Sequence, residues 1–230
     1  PDEPQSEELL LELEGSWSIS SWSPESDKIL ISRYISVNEN EVYMLDIQSK
    51  SLTPFDSNIE EAVSYGRGVF SKDGKKIYYT SDYNSEFKRL RIRDLNTGAD
   101  SILSTKIQWD ISNIKSSEDG KFLGLSVNEG GVDELILYDT EKGTFEKIEG
   151  LPLGNIRSID FHPTKNILGF NFSQSSGWPI VYTYDIELKK LTQWSKPDPK
   201  DKKFPDAEII RYITFDFDSL RGEQRKIEAF

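Results

Sequence analysis

The chain has 230 residues, enough for one large all-β domain or two small ones with a hydrophobic core. Its 28 basic and 40 acidic residues give a net charge of −12, which disfavours binding to nucleic acid and to anionic membrane surfaces, and no apolar run approaches the roughly 18 residues of a spanning helix. There is no cysteine, which excludes disulfides and thiolate zinc sites and indicates the cytoplasm, with the periplasm as the alternative.

The first eight residues are polar and contain two prolines, which predicts a flexible lead-in. The start Pro1-Asp2-Glu3-Pro4 has neither an initiator Met nor the pattern of a signal peptide, so we expect an excised or processed chain. Leu9-Leu10-Leu11-Glu12-Leu13 predicts a short strand, and a turn of helix is the alternative because Leu and Glu also favour helix.

From residue 19 onward, a polar turn between two apolar runs occurs four times. The copies begin at Trp22, Phe70, Ser116 and Phe161, at intervals of 48, 46 and 45 residues. Two of them contain Asp-Gly, where glycine supplies the positive φ of a tight turn. The sequence therefore predicts that four residues have a structural role in turns: Asp73, Gly74, Asp119 and Gly120.

A second repeated feature has the same period. Asp46, Asp94, Asp139 and Asp185 each end a β-rich run and precede a turn and a short strand, at intervals of 48, 45 and 46 residues. We interpret these aspartates as turn residues that accept backbone N–H bonds rather than as a ring of metal ligands. Four antiparallel strands in about 45 residues are typical of one propeller blade.

The predicted fold is therefore all-β, a β-propeller with four recognisable four-stranded blades plus terminal strands, in a partial or small ring. We expect blades at about 19–64, 65–108, 109–155 and 156–194. Residues 1–18 form the lead-in with a strand of a preceding blade, and 195–230 form a linker and one more strand at 209–215. The predicted core residues on the inner strands are Ile29, Ile31, Ile77, Tyr79, Leu123, Leu125, Leu168 and Phe170.

The chain offers little for catalysis. His162 is the only histidine, and it occupies a turn position where other copies have serine, so we interpret it as structural rather than as a general base. No Gly-x-Ser-x-Gly occurs, which argues against a hydrolase triad within this chain. Gly66-Arg67-Gly68 lacks the following helix of a dinucleotide loop and is predicted to connect two blades. We therefore predict no catalytic, cofactor-binding or metal-binding residues.

The tryptophans are the candidates for ligand contact. Trp22 occupies the same repeat position as Phe70 and Phe161 and is predicted to lie in the core. Trp109 and Trp178 fall in connections between strands, where binding surfaces occur, so they are the candidate ligand or peptide contacts.

Two segments resemble the Asp-Gly-Lys propeller repeat of TolB-like proteins and of the N-terminal propeller of prolyl oligopeptidase-family serine peptidases, including the acylaminoacyl-peptidase branch. They are Ser71-Lys72-Asp73-Gly74-Lys75-Lys76-Ile77 and Leu90-Arg91-Ile92-Arg93-Asp94-Leu95-Asn96-Thr97-Gly98. The end of the chain, 208–216 and 225–230, is similar to the crossing from propeller to hydrolase in those peptidases. It departs from that pattern at Phe217, where glycine is usual, and at Glu228, which replaces proline.

The resemblance implies that a missing α/β-hydrolase domain carries the Ser, Asp and His, and that the propeller caps the active site and limits substrates to short peptides. The implied partners are that hydrolase domain and short peptides. Two other functions remain open: a TolB-like scaffold for protein interaction, and a carbohydrate-binding propeller that uses Trp109 and Trp178. We also expect that open edge strands can pair with a neighbouring molecule.

Overall fold

The computed structural model describes residues 8–56, 59–174, 178–196, 208–218 and 222–229. Within these residues the secondary structure consists of strands, turns and bends, without an α-helix. The described residues accordingly include no helix that is long and apolar enough to cross a membrane. By contacts between Cα atoms the chain divides into two compact units, Pro1–Lys106 and Ile107–Phe230.

The first unit contains two four-stranded antiparallel sheets, blades 1 and 2, in each of which consecutive strands are neighbours. The strands of blade 1 are β1 (Ser16–Trp22), β2 (Lys28–Ser36), β3 (Glu39–Asp46) and β4 (Leu52–Pro54). The strands of blade 2 are β5 (Tyr65–Phe70), β6 (Lys76–Ser81), β7 (Arg89–Asp94) and β8 (Asp100–Ile102).

The second unit contains blades 3 and 4, with the same order of strands, and a separate two-stranded hairpin. The strands of blade 3 are β9 (Asp110–Ser116), β10 (Phe122–Glu129), β11 (Val132–Asp139) and β12 (Thr144–Lys147). The strands of blade 4 are β13 (Asn155–Phe161), β14 (Ile167–Ser173), β15 (Ile180–Asp185) and β16 (Lys190–Gln193). The hairpin consists of β17 (Ile210–Asp218) and β18 (Glu223–Ala229).

These sheets confirm the all-β prediction and the four four-stranded blades. The strand predicted at 209–215 is also confirmed as the first part of β17. The linker predicted after blade 4 falls largely on 197–207, outside the described residues.

Hydrogen bonds within the repeated turn explain why the chain reverses there. The Ser71 hydroxyl donates to Asp73 Oδ1 at 2.7 Å, and the same carboxylate oxygen accepts the Lys75 backbone N–H at 3.1 Å. Gly74 completes the turn at a φ of 68°. In blade 3, Ser117 donates to Asp119 at 2.7 Å and Gly120 has a φ of 74°. The same local chemistry thus joins the first and second strands in both blades.

In each unit, part of the core lies between the two blades. All eight residues predicted for it are buried, with exposures of 0 to 7%. In the first unit, Phe70, Ile77 and Tyr79 of blade 2 pack against Leu30 of blade 1. In the second unit, the residues of blade 4 at the same repeat positions, among them Phe161, pack in one cluster with Leu135 and Leu137 of blade 3.

The prediction for Trp22 is wrong, because this side chain is 51% exposed. Phe70 and Phe161, at the same repeat position, are buried because each packs against the blade that precedes it in the chain. Before Trp22 the structure describes only residues 8–15 and the start of β1, and these do not supply a preceding sheet.

The segment before blade 1 also differs from the prediction. Residues 9–13 form neither a strand nor a helix, and β1 begins at Ser16, inside the range 1–18 assigned to the lead-in. Leu11 and Leu13 instead pack against the buried cluster of Ile29, Ile31 and Leu45. This part of the lead-in thus covers apolar surface on blade 1 without adding a strand.

The first strand of every blade contains a β-bulge, which the sequence did not reveal. The register shifts fall at Ser20 in β1, at Gly66 and Arg67 in β5, at Ser112 in β9 and at Arg157 in β13. The prediction that Gly66-Arg67-Gly68 connects two blades is therefore wrong, because these residues lie inside β5. A Cβ at Gly66 would collide with the Thr80 hydroxyl, which explains the glycine at this bulge.

Candidate functional site

The four repeated aspartates serve the turns, as predicted. In each, Oδ1 accepts the backbone N–H of the residue three positions later, at 2.8 Å for Asp46 and 2.9 Å for Asp94, Asp139 and Asp185. The Thr97 N–H bond is the largest cause that lowers the pKa of Asp94. Among the described residues, no group of three or more potential ligands could hold a metal ion.

His162 also serves a turn. The imidazole Nδ1 accepts the Thr164 backbone N–H at 3.1 Å, and the His162 backbone N–H donates to the Ile167 carbonyl at 2.9 Å. In blades 2 and 3 the serine at this position instead accepts the backbone N–H five residues later, at 2.9 Å for Ser71 and 3.0 Å for Ser117.

The two tryptophans singled out as ligand contacts lie before strands of different blades. Trp109 is half-buried and immediately precedes β9, whereas Trp178 is 67% exposed and lies two residues before β15. Trp194, which follows β16, is 69% exposed, and its indole N–H donates to Thr183 Oγ1 at 2.8 Å.

A pair of hydrogen bonds from one Asn or Asp residue joins blade 1 to blade 2, and a matching pair joins blade 3 to blade 4. We call each pair an Asx clasp; the residue is Asn40 in the first and Asp133 in the second. The Asn40 N–H donates to the Val63 carbonyl at 3.1 Å, and its Oδ1 accepts the Tyr65 N–H at 2.7 Å. In the second unit the Asp133 N–H donates to the Gly154 carbonyl at 2.8 Å, and its Oδ2 accepts the Ile156 N–H at 2.8 Å.

The sequence contained a signal for this clasp. Asn40 and Asp133 each lie six residues before the repeated aspartate of their blade, at Asp46 and Asp139. The same position is Lys88 in blade 2 and Pro179 in blade 4, neither of which has a side-chain acceptor. The side-chain half of the clasp is therefore specific to blades 1 and 3.

A second link between blades 1 and 2 is a network of charged groups around Arg93 of β7. Its Nη2 lies 2.7 Å from Asp56 Oδ1, its Nε lies 3.1 Å from Asp100 Oδ2, and its Nη1 donates to the Phe55 carbonyl at 2.6 Å. The guanidinium carbon is 3.9 Å from the centroid of the Phe55 ring. Arg91 binds the other oxygen of Asp100 at 2.8 Å, so both carboxylates have cationic partners.

Two tyrosines complete this network. The Tyr65 hydroxyl donates to Asp56 Oδ2 at 2.6 Å, and the Tyr79 hydroxyl donates to Asp100. Burial and the bond to a carboxylate both raise the pKa of each phenol above its usual value. Both phenols therefore act as fixed hydrogen-bond donors and not as bases.

Asn40 and Tyr65 separate two pockets in the first unit. The acidic pocket, of about 350 Å³, is lined by four carboxylate side chains, Glu39, Glu41, Asp56 and Glu61. Two of the four have cationic partners, Glu41 with Arg33 at 3.4 Å and Asp56 with Arg93.

The serine pocket lies on the other side of this partition and has a volume of about 410 Å³. It is bordered by β1, the end of β2 and the first part of β5. Its name comes from the serines in its lining, which are Ser16, Ser18, Ser20, Ser32, Ser36 and Ser64. The aromatic rings of Trp17, Tyr34 and Tyr65 and the guanidinium of Arg67 also line it. This concave surface with hydroxyl, amide, aromatic and cationic groups is the candidate functional site.

The sequence analysis missed this site, because its residues belong to three strands and match no motif. Arg67 was assigned to a connection, and the serines of β1 alternate with Trp17 and Ile19 as in any half-buried strand. Only the packing of β5 beside β1 brings Ser64 and Arg67 to the serines of blade 1.

The sequence matches no protein-family model and no curated protein. The fold, however, is similar to that of solved propeller-containing proteins. TolB from Acinetobacter baumannii has a TM-score of 0.60 and 17% identity, with 90% of this chain and 51% of that chain covered. A puromycin hydrolase has a TM-score of 0.64 and 12% identity, with 90% of this chain and 32% of that one covered.

A prolyl endopeptidase has a TM-score of 0.75 and 14% identity, with 98% of this chain and 33% of that one covered. The chain thus spans about a third to a half of the length of these proteins. At such identities the likeness concerns the fold. It confirms a β-propeller of the kind found in TolB and in peptidases of the prolyl oligopeptidase family.

Proposed function

We propose that this propeller caps the active site of a serine peptidase of the prolyl oligopeptidase family and restricts its substrates to short peptides. The hydrolase domain would supply the nucleophile, the base and the acid. The propeller would supply a rigid cover that excludes folded and long unfolded chains from the catalytic groups.

One observation carries this proposal. The likeness to the prolyl endopeptidase covers 98% of the chain, so it extends beyond blade 4 into the β17–β18 hairpin, whereas the likeness to TolB covers 90% at a lower TM-score. The longer match at the higher TM-score favours the peptidase over a freestanding propeller.

The exposed apolar side chains of the β17–β18 hairpin also support a domain that packs against it. Ile213, Phe215 and Phe217 of β17 are 67%, 100% and 62% exposed. Large apolar side chains in such a row are rarely left in water, and they usually mark a surface that another domain covers.

The gene that encodes this chain provides the first test. We expect its reading frame to continue past Phe230 and to encode a Gly-x-Ser-x-Gly segment, from which a fluorophosphonate-reactive serine would come. A stop codon directly after Phe230 would contradict the proposal.

Gating is tested on the full-length product. We expect it to cleave peptides of about ten residues and to leave a long unfolded polypeptide intact. Asn40→Ala, which weakens the Asx clasp between blades 1 and 2, should raise cleavage of the long chain relative to the short peptide, whereas Asn40→Asp retains the acceptor and serves as the control. Equal cleavage of both substrates by the unaltered protein would exclude gating.

A TolB-like scaffold for protein interaction is the second candidate, favoured by the likeness to TolB over 90% of the chain. It predicts a protein partner for the chain and no hydrolase segment downstream. The reading frame therefore separates the two candidates.

A further inference from the structure

We propose that the serine pocket of blades 1 and 2 binds the carboxylate of a short peptide acid. The carboxylate would lie at Arg67 and Ser64, with the body of the peptide along β1. This inference concerns binding by the propeller alone, so it does not depend on the proposed peptidase.

The charge of the pocket supports an anionic ligand. No Asp or Glu is among the residues that line it, although the chain has 40 acidic residues and four of them line the adjacent pocket. Arg67 is exposed at the pocket and forms no ion pair with any residue that the structure describes. Arg91 and Arg93, by contrast, are both held by Asp100. Arg67 is thus a guanidinium that is available to a carboxylate.

Ser64 supplies a second group without a partner. This residue is only 7% exposed and lines the pocket, yet within the described part of the chain its hydroxyl has no hydrogen-bond partner. Its backbone is fixed, because the Ser64 N–H donates to Asp82 Oδ1 at 2.8 Å. The Ser64 hydroxyl can therefore donate to a ligand oxygen without giving up a hydrogen bond to a described residue. Ser64 immediately precedes β5 and Arg67 lies within it, and both residues line the pocket.

The walls favour a peptide over an inorganic anion. Residues 16–20 of β1 all line the pocket, and β1 is the end strand of its sheet, so an extended peptide can lie along its free edge. Trp17, Ile19 and Tyr34 add apolar surface for side chains. A volume of about 410 Å³ suits two or three residues of a peptide.

The test is calorimetric titration of the whole chain with N-acetyl-Ala-Ala-Phe, with its C-terminal amide, and with inorganic phosphate. We expect the acid to bind at least about tenfold more tightly than the amide, since loss of a charge-assisted hydrogen bond has an effect of this size. Phosphate should bind more weakly than the peptide acid, because it makes no contact with β1. Equal affinities for acid and amide, or tighter binding of phosphate, would overturn the proposal.

Substitutions locate the site. Arg67→Gln should abolish binding of the acid and leave the unfolding midpoint within error, since the side chain is exposed and forms no ion pair with described residues. Arg157→Gln is the matched control, because Arg157 is also an exposed arginine at the bulge of a first strand. Arg67→Lys should retain part of the affinity. Unchanged binding by Arg67→Gln, or equal loss in Arg157→Gln, would contradict the assignment.

Discussion

Ser20 of β1 and Gly68 of β5 are bound to each other twice, across the junction between blades 1 and 2. The Ser20 hydroxyl donates to the Gly68 carbonyl at 3.1 Å and accepts the Gly68 N–H at 2.8 Å. The bulge at Ser20 places this side chain opposite β5, and the absence of a Cβ at Gly68 leaves room for Leu30 of blade 1. One hydroxyl thus satisfies both backbone groups of a residue in the adjacent sheet.

We expect Ser20→Ala to lower the free energy of unfolding by about 1–3 kcal/mol, because it leaves the N–H and the carbonyl of Gly68 without this partner. Ser21→Ala is the matched control. The Ser21 hydroxyl is buried without a hydrogen-bond partner among the described residues, so its removal should be neutral or slightly stabilising. Urea unfolding measures both changes, and amide exchange at Gly68 should accelerate only in Ser20→Ala. Equal effects of the two substitutions would contradict this role of Ser20.

The Asx clasp gives a prediction for each unit. Asn40→Ala and Asp133→Ala should each destabilise the protein by about 1–3 kcal/mol, because the amides of Tyr65 and Ile156 lose their acceptors. Asn40→Asp gives blade 1 the residue type found in blade 3, and Asp133→Asn does the reverse. Both variants keep a side-chain oxygen that can accept the bond. Urea unfolding of all four variants checks this. If Asn40→Asp and Asp133→Asn destabilise the protein as much as the alanine variants do, loss of the oxygen acceptor is not the cause of the destabilisation.

The fold was predictable because its signals are local and repeated. An Asp-Gly turn such as Asp73-Gly74 and an aspartate at a strand end such as Asp94 act within a few residues, and two features with one period define the blade. Ile77 and Leu123 were predicted as core because each follows a turn on an alternating strand, and both side chains are fully buried.

The predictions that were wrong, and the site that was missed, depend on contacts between strands that are distant in sequence. Trp22 has the same position in the repeat as Phe70, but its exposure depends on whether a sheet precedes it, which the repeat does not encode. Arg67 lies in a bulge, and a bulge is visible only from the pairing of β5 with β6. The serine pocket requires β5 to pack beside β1 of the neighbouring sheet, which no local pattern in either strand specifies.

The network around Arg93 predicts a large effect of losing one charge. Arg93→Met should destabilise the protein by about 3–5 kcal/mol, because it leaves Asp56 without its cation in a largely buried site. Arg33→Met is the control, since the Arg33–Glu41 pair is at 3.4 Å and about half-exposed, and its loss should cost less than about 1 kcal/mol. Urea unfolding at pH 7 measures both. Similar small losses would mean that Arg91 alone neutralises this network.

The lowered pKa of a turn aspartate such as Asp94 makes the free energy of unfolding depend on pH in the acid range. The Thr97 N–H bond lowers the pKa of folded Asp94 below its ordinary value of 3.8, so the folded state binds fewer protons than the unfolded state near that pH. The stabilisation is therefore fully present above pH 3.8 and is lost as the pH falls through the lower folded pKa. Asp94→Asn retains an oxygen acceptor for the turn but cannot titrate, so its stability should fall less between pH 5 and pH 2.

Asp139 provides the contrast, because the largest cause that lowers its pKa is the exposed ammonium of Lys142 rather than a backbone N–H. Salt screens exposed charge pairs, so adding about 1 M NaCl should shrink the pH-dependent difference between Asp139→Asn and the parent chain. The corresponding difference for Asp94→Asn should change less, since a backbone N–H supplies its main interaction. The measurement is the free energy of unfolding between pH 5 and pH 2, with and without added NaCl. An equal response of the two variants to salt would show that the Lys142 ammonium and the Thr97 N–H do not differ as causes of the lowered pKa.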